Sequence, residues 1–321
     1  MTKLSLQKVS VAFGGLKALE DVTMSVPAGE IRGVIGPNGA GKTTLLNGVT
    51  GVNQPDTGDV QLDGASIRGL KTSQIAARGL GRTFQTWKMF KGMTVLENVM
   101  TGRHGFLKAE PWTAALNFKR VRDEERDAAA KSRAILDFVG MRQFEDYDAS
   151  DLSFGQQRVI EIARALIGEP KVLLLDEPAV GLSAVRVDEL DRLLRRIRDE
   201  KGVTIVMIEH VVQLVMGVCD RITVLYAGQE METAPVDAFF VRPAHQYTAR
   251  LLDSLPNPDR EIREIGGEIP RLIDPPQGCR FHPRCAAATD ICRSQRPDER
   301  AVAAGHVVRC HHPHEGARHA A

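Results

Sequence analysis

The 321-residue chain, with 43% hydrophobic and 26% charged residues, has room for one large domain and an appendage or for two modest domains, which excludes the disordered class. A formal net charge of +1 excludes a nucleic-acid binder that depends on a strong positive field. No apolar run approaches the ~18 residues of a membrane-spanning helix, and MTKLSLQKVS lacks the features of a secretory signal, so the chain is expected in the cytoplasm with its thiols reduced.

The opening predicts antiparallel β structure. Residues from Lys3 to Phe13 alternate, Gly14-Gly15 turns the chain, and Val22, Met24 and Val26 alternate again before Pro27-Ala28-Gly29 breaks the run. A short apolar strand, Ile31 to Ile35, then leads into GPNGAGKT, and Lys42 to Val49 reads as the helix that follows. From Gly81 to about Pro170 the pattern is mostly helical, with a subdomain at about 84–165 interrupting the β/α order. Strand-like runs return at Val172 to Leu175 and Val203 to Ile208. Between them lies a helix with Val187, Leu190, Leu194 and Ile197 on one face. Strands that alternate with helices imply a parallel sheet. Prolines 256, 258, 270, 275 and 276 mark a change of character, so the expected division is a domain over 1–255 and an extension over 256–321.

The segment Gly36, Pro37, Asn38, Gly39, Ala40, Gly41, Lys42, Thr43 matches G-x-x-x-x-G-K-[ST] between strand and helix, and Thr44 continues it. Glycines let backbone N–H groups close around phosphate oxygens, and the helix N-terminus favours negative charge. Lys42 is expected on the β- and γ-phosphates and Thr43 on Mg²⁺. At the end of the later apolar strand, Asp176 would hold Mg²⁺, directly or through water, and Glu177 would polarise the attacking water as a general base. These residues suit any phosphate-loop ATPase.

Leu152-Ser153-Phe154-Gly155-Gln156 narrows the field, because it resembles the LSGGQ signature of the ABC family. That resemblance implies that Ser153, Gly155 and Gln156 contact ATP held by a second ATPase subunit, identical or related. It also marks Gln85 in RTFQ as the Q-loop glutamine near Mg²⁺, His210 in IEH as the switch histidine and Phe13 as the aromatic that stacks on adenine. Two positions depart from the family pattern. Phe154 stands where the signature usually has glycine, and Ser183 where many relatives have the D-loop aspartate.

To about Asp220 the chain resembles the ATPases of branched-chain amino acid importers, through GRTFQTWKMFKGMTVLENV, LSFGQQRVIEIARAL and IEHVVQLVMGVCDRI, where an aromatic in the signature is usual. From Tyr226 it is similar instead to peptide-importer ATPases, through YAGQEMETAPVDAFFVRPAHQYTARLLDSLPNPDR and GCRFHPRCAAATDIC, although Gln246 and Ala286 replace usual prolines. Cys279, Cys285, Cys292 and Cys310 follow a C-x₅-C-x₆-C-x₁₇-C spacing. Spacing alone leaves zinc, an iron–sulfur cluster and unligated thiols open. The resemblance to the peptide-importer tail implies a [4Fe–4S] cluster. Cys219 is expected in the core.

The expected fold is therefore α/β, a phosphate-loop ABC ATPase with an antiparallel β flank, a helical insert and a small Cys-rich extension. The expected activity is ATP hydrolysis driving an importer at the cytoplasmic face of the membrane. Its expected partners are permease subunits, a second ATPase subunit and, indirectly, a substrate-binding protein, with no nucleic acid. The cargo would be branched-chain amino acids or, close behind, peptides. A soluble ABC ATPase of repair or translation is the competing class.

Overall fold

The computed structural model describes residues 1–83, 89–106, 119–254, 266–267, 270 and 272–314. They form two compact units, Met1–Gly69 with Ile208–Ala321, and Leu70–Met207.

In the first unit, β1 (Thr2–Phe13) and β2 (Leu16–Pro27) form a hairpin, followed by β3 (Ile31–Ile35), α1 (Lys42–Val49), β4 (Thr57–Leu62) and β5 (Ala65–Ser66). The flank is a four-stranded sheet in the order β2-β1-β4-β5. Its inward face passes from Leu4 and Leu6 to Val9 and Val11. That change from even to odd positions needs a bulge, which the register records between Leu6 and Val9 with Lys8 at φ +50°. Across from it, Gly58 at φ +83° leaves no room for a side chain, since a Cβ would lie 2.3 Å from the Lys8 carbonyl oxygen.

The second unit runs through α2 (Thr72–Ala77), β6 (Leu80–Arg82), α3 (Val95–Met100), α4 (Lys119–Val139), α5 (Phe154–Leu166), β7 (Val172–Asp176), α6 (Ala184–Lys201) and β8 (Thr204–Ile208). Its strands follow the order β8-β7-β6, with β6 and β7 parallel. The three-residue β6 lies in a stretch the sequence pattern marks as helical. Its pairing to β7 overrides the local pattern. Every residue of β7 and β8 is buried, as expected for strands covered on both faces. The helical insert packs on Val95, Val99, Leu136, Ile160 and Ala163.

The chain then returns to the first unit with α7 (Val212–Val218), β9 (Arg221–Tyr226), β10 (Gln229–Pro235), α8 (Val236–Val241), α9 (Gln246–Asp253), α10 (Asp290–Ser294), β11 (Arg300–Ala303) and β12 (His306–Val308). The strands here run β11-β12-β10-β9-β3, with β3 and β9 parallel. The C-terminal hairpin thus extends the sheet that carries the glycine loop. His306 anchors it, placing Nε2 2.7 Å from Oε1 of the buried Glu232, which also accepts the Ala244 and His245 N–H groups at 2.8 Å each.

Candidate functional site

The glycine loop leaves the buried end of β3 and closes into α1. At Gly36 a Cβ would sit 2.2 Å from the Leu225 carbonyl oxygen, and at Gly41, φ +99°, it would sit 2.6 Å from that of Ala18. Both positions are therefore closed to larger residues by backbone of neighbouring strands. Ala40 and Lys42 are buried, whereas Asn38, Gly39 and Thr43 are exposed. The Lys42 ammonium donates to the carbonyls of Gly36 at 2.7 Å and Pro37 at 3.0 Å. The loop's cation is thus held over the loop's own backbone, at the start of a helix whose first N–H groups face the same concavity.

Phe13 stands at the exposed end of β1, paired in register with Leu16. His210 is exposed just beyond β8. Its backbone is fixed by Glu209, a fully buried residue whose Oε2 accepts the N–H groups of His210 at 2.6 Å and Val211 at 2.9 Å. Sequence reasoning missed this carboxylate. The available signal was an acid immediately after an apolar strand and before a helix start.

In the second unit, Asp176 ends β7 almost fully buried, and its Oδ2 lies 3.3 Å from Nη2 of Arg82. Arg82 is the other residue the sequence left unread. Burial pushes its guanidinium below the usual range, and the Asp176 carboxylate opposes that shift. The parallel pairing of β6 with β7 places it there, with Arg82 in register with Leu174 and the Asp176 N–H donating to Thr83 Oγ1 at 3.4 Å. Glu177 is half-buried at φ +51°, a conformation that costs a non-glycine residue about 1–2 kcal/mol. Such strain at the end of a strand is typical of a functional turn.

The helix of the signature segment, α5, starts at Phe154. Ser153 caps it, and Gln156 Oε1 accepts from the Ser153 N–H at 2.9 Å and its hydroxyl at 2.8 Å. The Phe154 ring fills space left by another glycine, since a Cβ on Gly181 would come within 3.2 Å of it. The Arg158 guanidinium lies 5.4 Å over the same ring. Gly155 faces the Leu182 side chain, where a Cβ would make ordinary contact at 3.5 Å. The structure therefore brings Phe154 and Gly155 beside the segment that follows Glu177. Ser183 is exposed at the N-cap of α6 and makes no side-chain cap hydrogen bond there. Gln85 lies outside the described residues.

Cys279, Cys285, Cys292 and Cys310 line one small pocket of the first unit together with His245 and Phe281. Burial pushes the Cys279 thiol up to about 12, and the other three cysteines add to the shift. Burial likewise raises Cys285 and Cys310. Nearby histidines are engaged elsewhere: His282 with the Cys279 carbonyl, His311 with that of Gln295 and His312 with Thr289. Among the described residues no group of three or more His, Cys, Asp or Glu is arranged to hold a metal ion. Cys219 is buried against Gly33, apart from the pocket, and burial raises its thiol strongly.

Residues 19–180 match the family model described as ABC transporter, and residues 231–292 match that of the oligopeptide/dipeptide transporter C-terminal region. A high-affinity branched-chain amino acid transport ATP-binding protein of Pseudomonas aeruginosa, BraF, is 39% identical over 225 residues, covering 70% of this chain and 88% of that protein. A protein of Brucella ovis named for peptide import and ATP binding is 32% identical over 305 residues, covering 92% of each. Among solved structures, a nucleotide-free ATP-binding cassette from an ABC transporter superposes with a TM-score of 0.66 at 30% identity, covering 80% of this chain and 96% of that one.

Proposed function

Because this chain belongs to the ABC transporter family, we propose that the importer it energises carries branched-chain amino acids, with peptides as the second reading. The chain is an ATPase, the ATP-hydrolysing subunit of an ABC importer. The single observation behind the cargo is the 39% identity to BraF. The peptide reading rests on the C-terminal match at residues 231–292. The named relatives are import ATPases, which favours transport over the soluble class. Among the described residues no helix is long and apolar enough to cross a membrane, so translocation falls to partner permease subunits, with the ATPase peripheral to them on the cytoplasmic side.

Lys42 gives up the Gly36 and Pro37 carbonyls for the β- and γ-phosphate oxygens of ATP, while loop N–H groups from Gly39 to Thr44 take the remaining charge. Thr43 and Asp176 would hold Mg²⁺, and their oxygen donors suit that hard cation. When bound, it neutralises charge on the phosphates. Arg82, with Nη2 3.3 Å from Asp176 Oδ2, would keep that carboxylate charged and in place for the ion. Glu177 accepts a proton from the attacking water, and His210 and Gln85 orient that water and the γ-phosphate. Phe13 stacks on adenine. Ser153, Gly155 and Gln156 complete the site of a second ATPase subunit.

A [4Fe–4S] cluster on Cys279, Cys285, Cys292 and Cys310 is the reading we propose for the cysteine pocket, on the ground that all four line it. A single zinc needs its thiolates about 2.3 Å from one point, whereas a four-iron cluster takes one thiolate at each of four separated irons. Four iron and four sulfide per chain after anaerobic purification are the expected analysis; stoichiometric zinc in a colourless preparation would overturn the assignment.

The cargo is tested by copurifying the chain with its permease and reconstituting the complex in vesicles. ATP-dependent uptake of radiolabelled leucine is expected. Uptake of a dipeptide without leucine would sink the amino-acid reading, and recovery with ribosomes or DNA and no permease would sink transport.

A further inference from the structure

The Cys-bearing extension reaches the back of the glycine loop through one buried arginine. Arg280, next in the chain to Cys279, is among the largest fully buried side chains. Its Nη1 donates to the carbonyl of Ala227, and its Nη2 lies 2.7 Å from Glu20 Oε2. Ala227 and Gly228 form the two-residue turn between β9 and β10, both at positive φ, +48° and +79°. This matches the primed hairpin turn, in which a non-glycine residue is strained.

The turn touches the loop directly. The Gly228 N–H donates to the Ala40 carbonyl at 2.9 Å, and the Gly228 carbonyl accepts the Glu20 N–H at 2.9 Å. Gln229 Nε2 donates to the same Glu20 oxygen as Arg280, at 2.8 Å. There is no room for a side chain at this turn: a Cβ on Gly228 would come 2.7 Å from the Ala18 carbonyl oxygen and 3.1 Å from Arg280 Nη1. The extension holds the same stretch of β2 twice more, through Arg296 on Asp21 and the Glu20 carbonyl, and through the Lys17 N–H donating to the Leu272 carbonyl.

We propose that Arg280 is a positioning residue for the phosphate loop, setting the Ala40 carbonyl through Ala227 and Gly228 and thereby coupling the cysteine-bearing extension to ATP affinity. The proposal rests on the reading that Gly36 to Thr43 binds ATP. It makes the extension a brace for the nucleotide site. A buried arginine that bonds a turn carbonyl and a carboxylate at once fixes both in one geometry. Losing the guanidinium frees a strained turn whose next N–H holds the loop. Coupling of this kind is reciprocal, so ATP must also stabilise the extension.

The test compares Arg280→Met, Arg280→Lys, Glu20→Gln and Lys42→Ala in the full-length chain assembled with its permease. The readouts are ATP binding by filter assay, kcat and KM. For Arg280→Met the expected result is a rise in Kd and KM of about tenfold with kcat within about twofold, the size of a typical coupling between sites. Arg280→Lys should recover part of it, and Glu20→Gln should shift Kd in the same direction by less. Unchanged ATP affinity in folded Arg280→Met overturns the proposal. Should that variant fail to fold, unchanged affinity in Glu20→Gln overturns it instead. Lys42→Ala separates the two readings: retained ATP binding there defeats the loop assignment itself, whereas lost binding beside an unaffected Arg280→Met defeats only the brace.

Discussion

The glycine loop and the cysteine pocket both lie in the first unit, yet they differ in what organises them. The loop's glycines are dictated by backbone at 2.2 and 2.6 Å, and its cation is hydrogen-bonded to the loop's own carbonyls. The pocket gathers four cysteines, with burial raising the thiols of Cys279, Cys285 and Cys310, and no three His, Cys, Asp or Glu among the described residues arranged around an ion. A loop made by consecutive residues is organised by its own backbone, whereas a pocket made by residues far apart in the chain depends on what fills it.

The largest expected effect is at Glu177, the proposed general base, whose backbone is held at φ +51°. Glu177→Gln is expected to lower kcat by about 10²–10⁴-fold, the range for loss of a general base, while filter-bound ATP is unchanged. Equal loss of both would mean that Glu177 positions nucleotide instead. Next in size is Gly41→Ala, where a Cβ would meet the Ala18 carbonyl at 2.6 Å at φ +99°. Overpacking and a left-handed alanine together should remove about 2–4 kcal/mol of stability, read as a lower denaturant midpoint. A midpoint shift within error would show that the loop yields more than its packing suggests.

The pocket should respond more mildly. Cys292→Ser replaces a buried thiol, 3.7 Å from Thr289 Oγ1, with a smaller and more polar hydroxyl and is expected to cost about 1–2 kcal/mol, seen in thermal unfolding of metal-free protein. A loss as large as that of Gly41→Ala would make the pocket as organised as the loop. The smallest effect lies in the acid limb. Burial alone would raise Glu20, but Gln229, Arg280 and Lys17 outweigh it and bring the carboxyl down to about 2 from 4.5. A depressed carboxylate contributes stability that is present above pH 4.5 and lost as pH falls through 2. Glu20→Gln should therefore flatten the stability curve across that window, and an unaltered acid limb would remove Glu20 from the account.

Legibility in the sequence followed the same division. The strand from Ile31 to Ile35, the helix from Lys42 to Val49 and the buried strands ending near Asp176 and Ile208 are all present at or within a residue of the expected limits. Their signals were short-range, namely an apolar run, a glycine turn and a helical stripe. The β6 strand was not legible because three residues carry no period, and only pairing with β7 makes them a strand. The hairpin β11–β12 was hidden for the same reason, its partner β10 lying some 70 residues away in sequence.

The sequence by itself determined the glycine loop, the acid pair at Asp176 and Glu177 and the signature-like segment at Ser153 as motifs, because each is a run of neighbours whose pattern is read locally. Only the tertiary structure decided that Arg82 sits on Asp176, that Gly181 makes room for Phe154, that Glu209 holds the turn at His210, and that Arg280 reaches Glu20 and the Ala227 carbonyl. These pairs join residues whose meeting depends on strand order and on how turns pack. A buried charge takes whichever partner the fold delivers to it, and no local pattern records that choice.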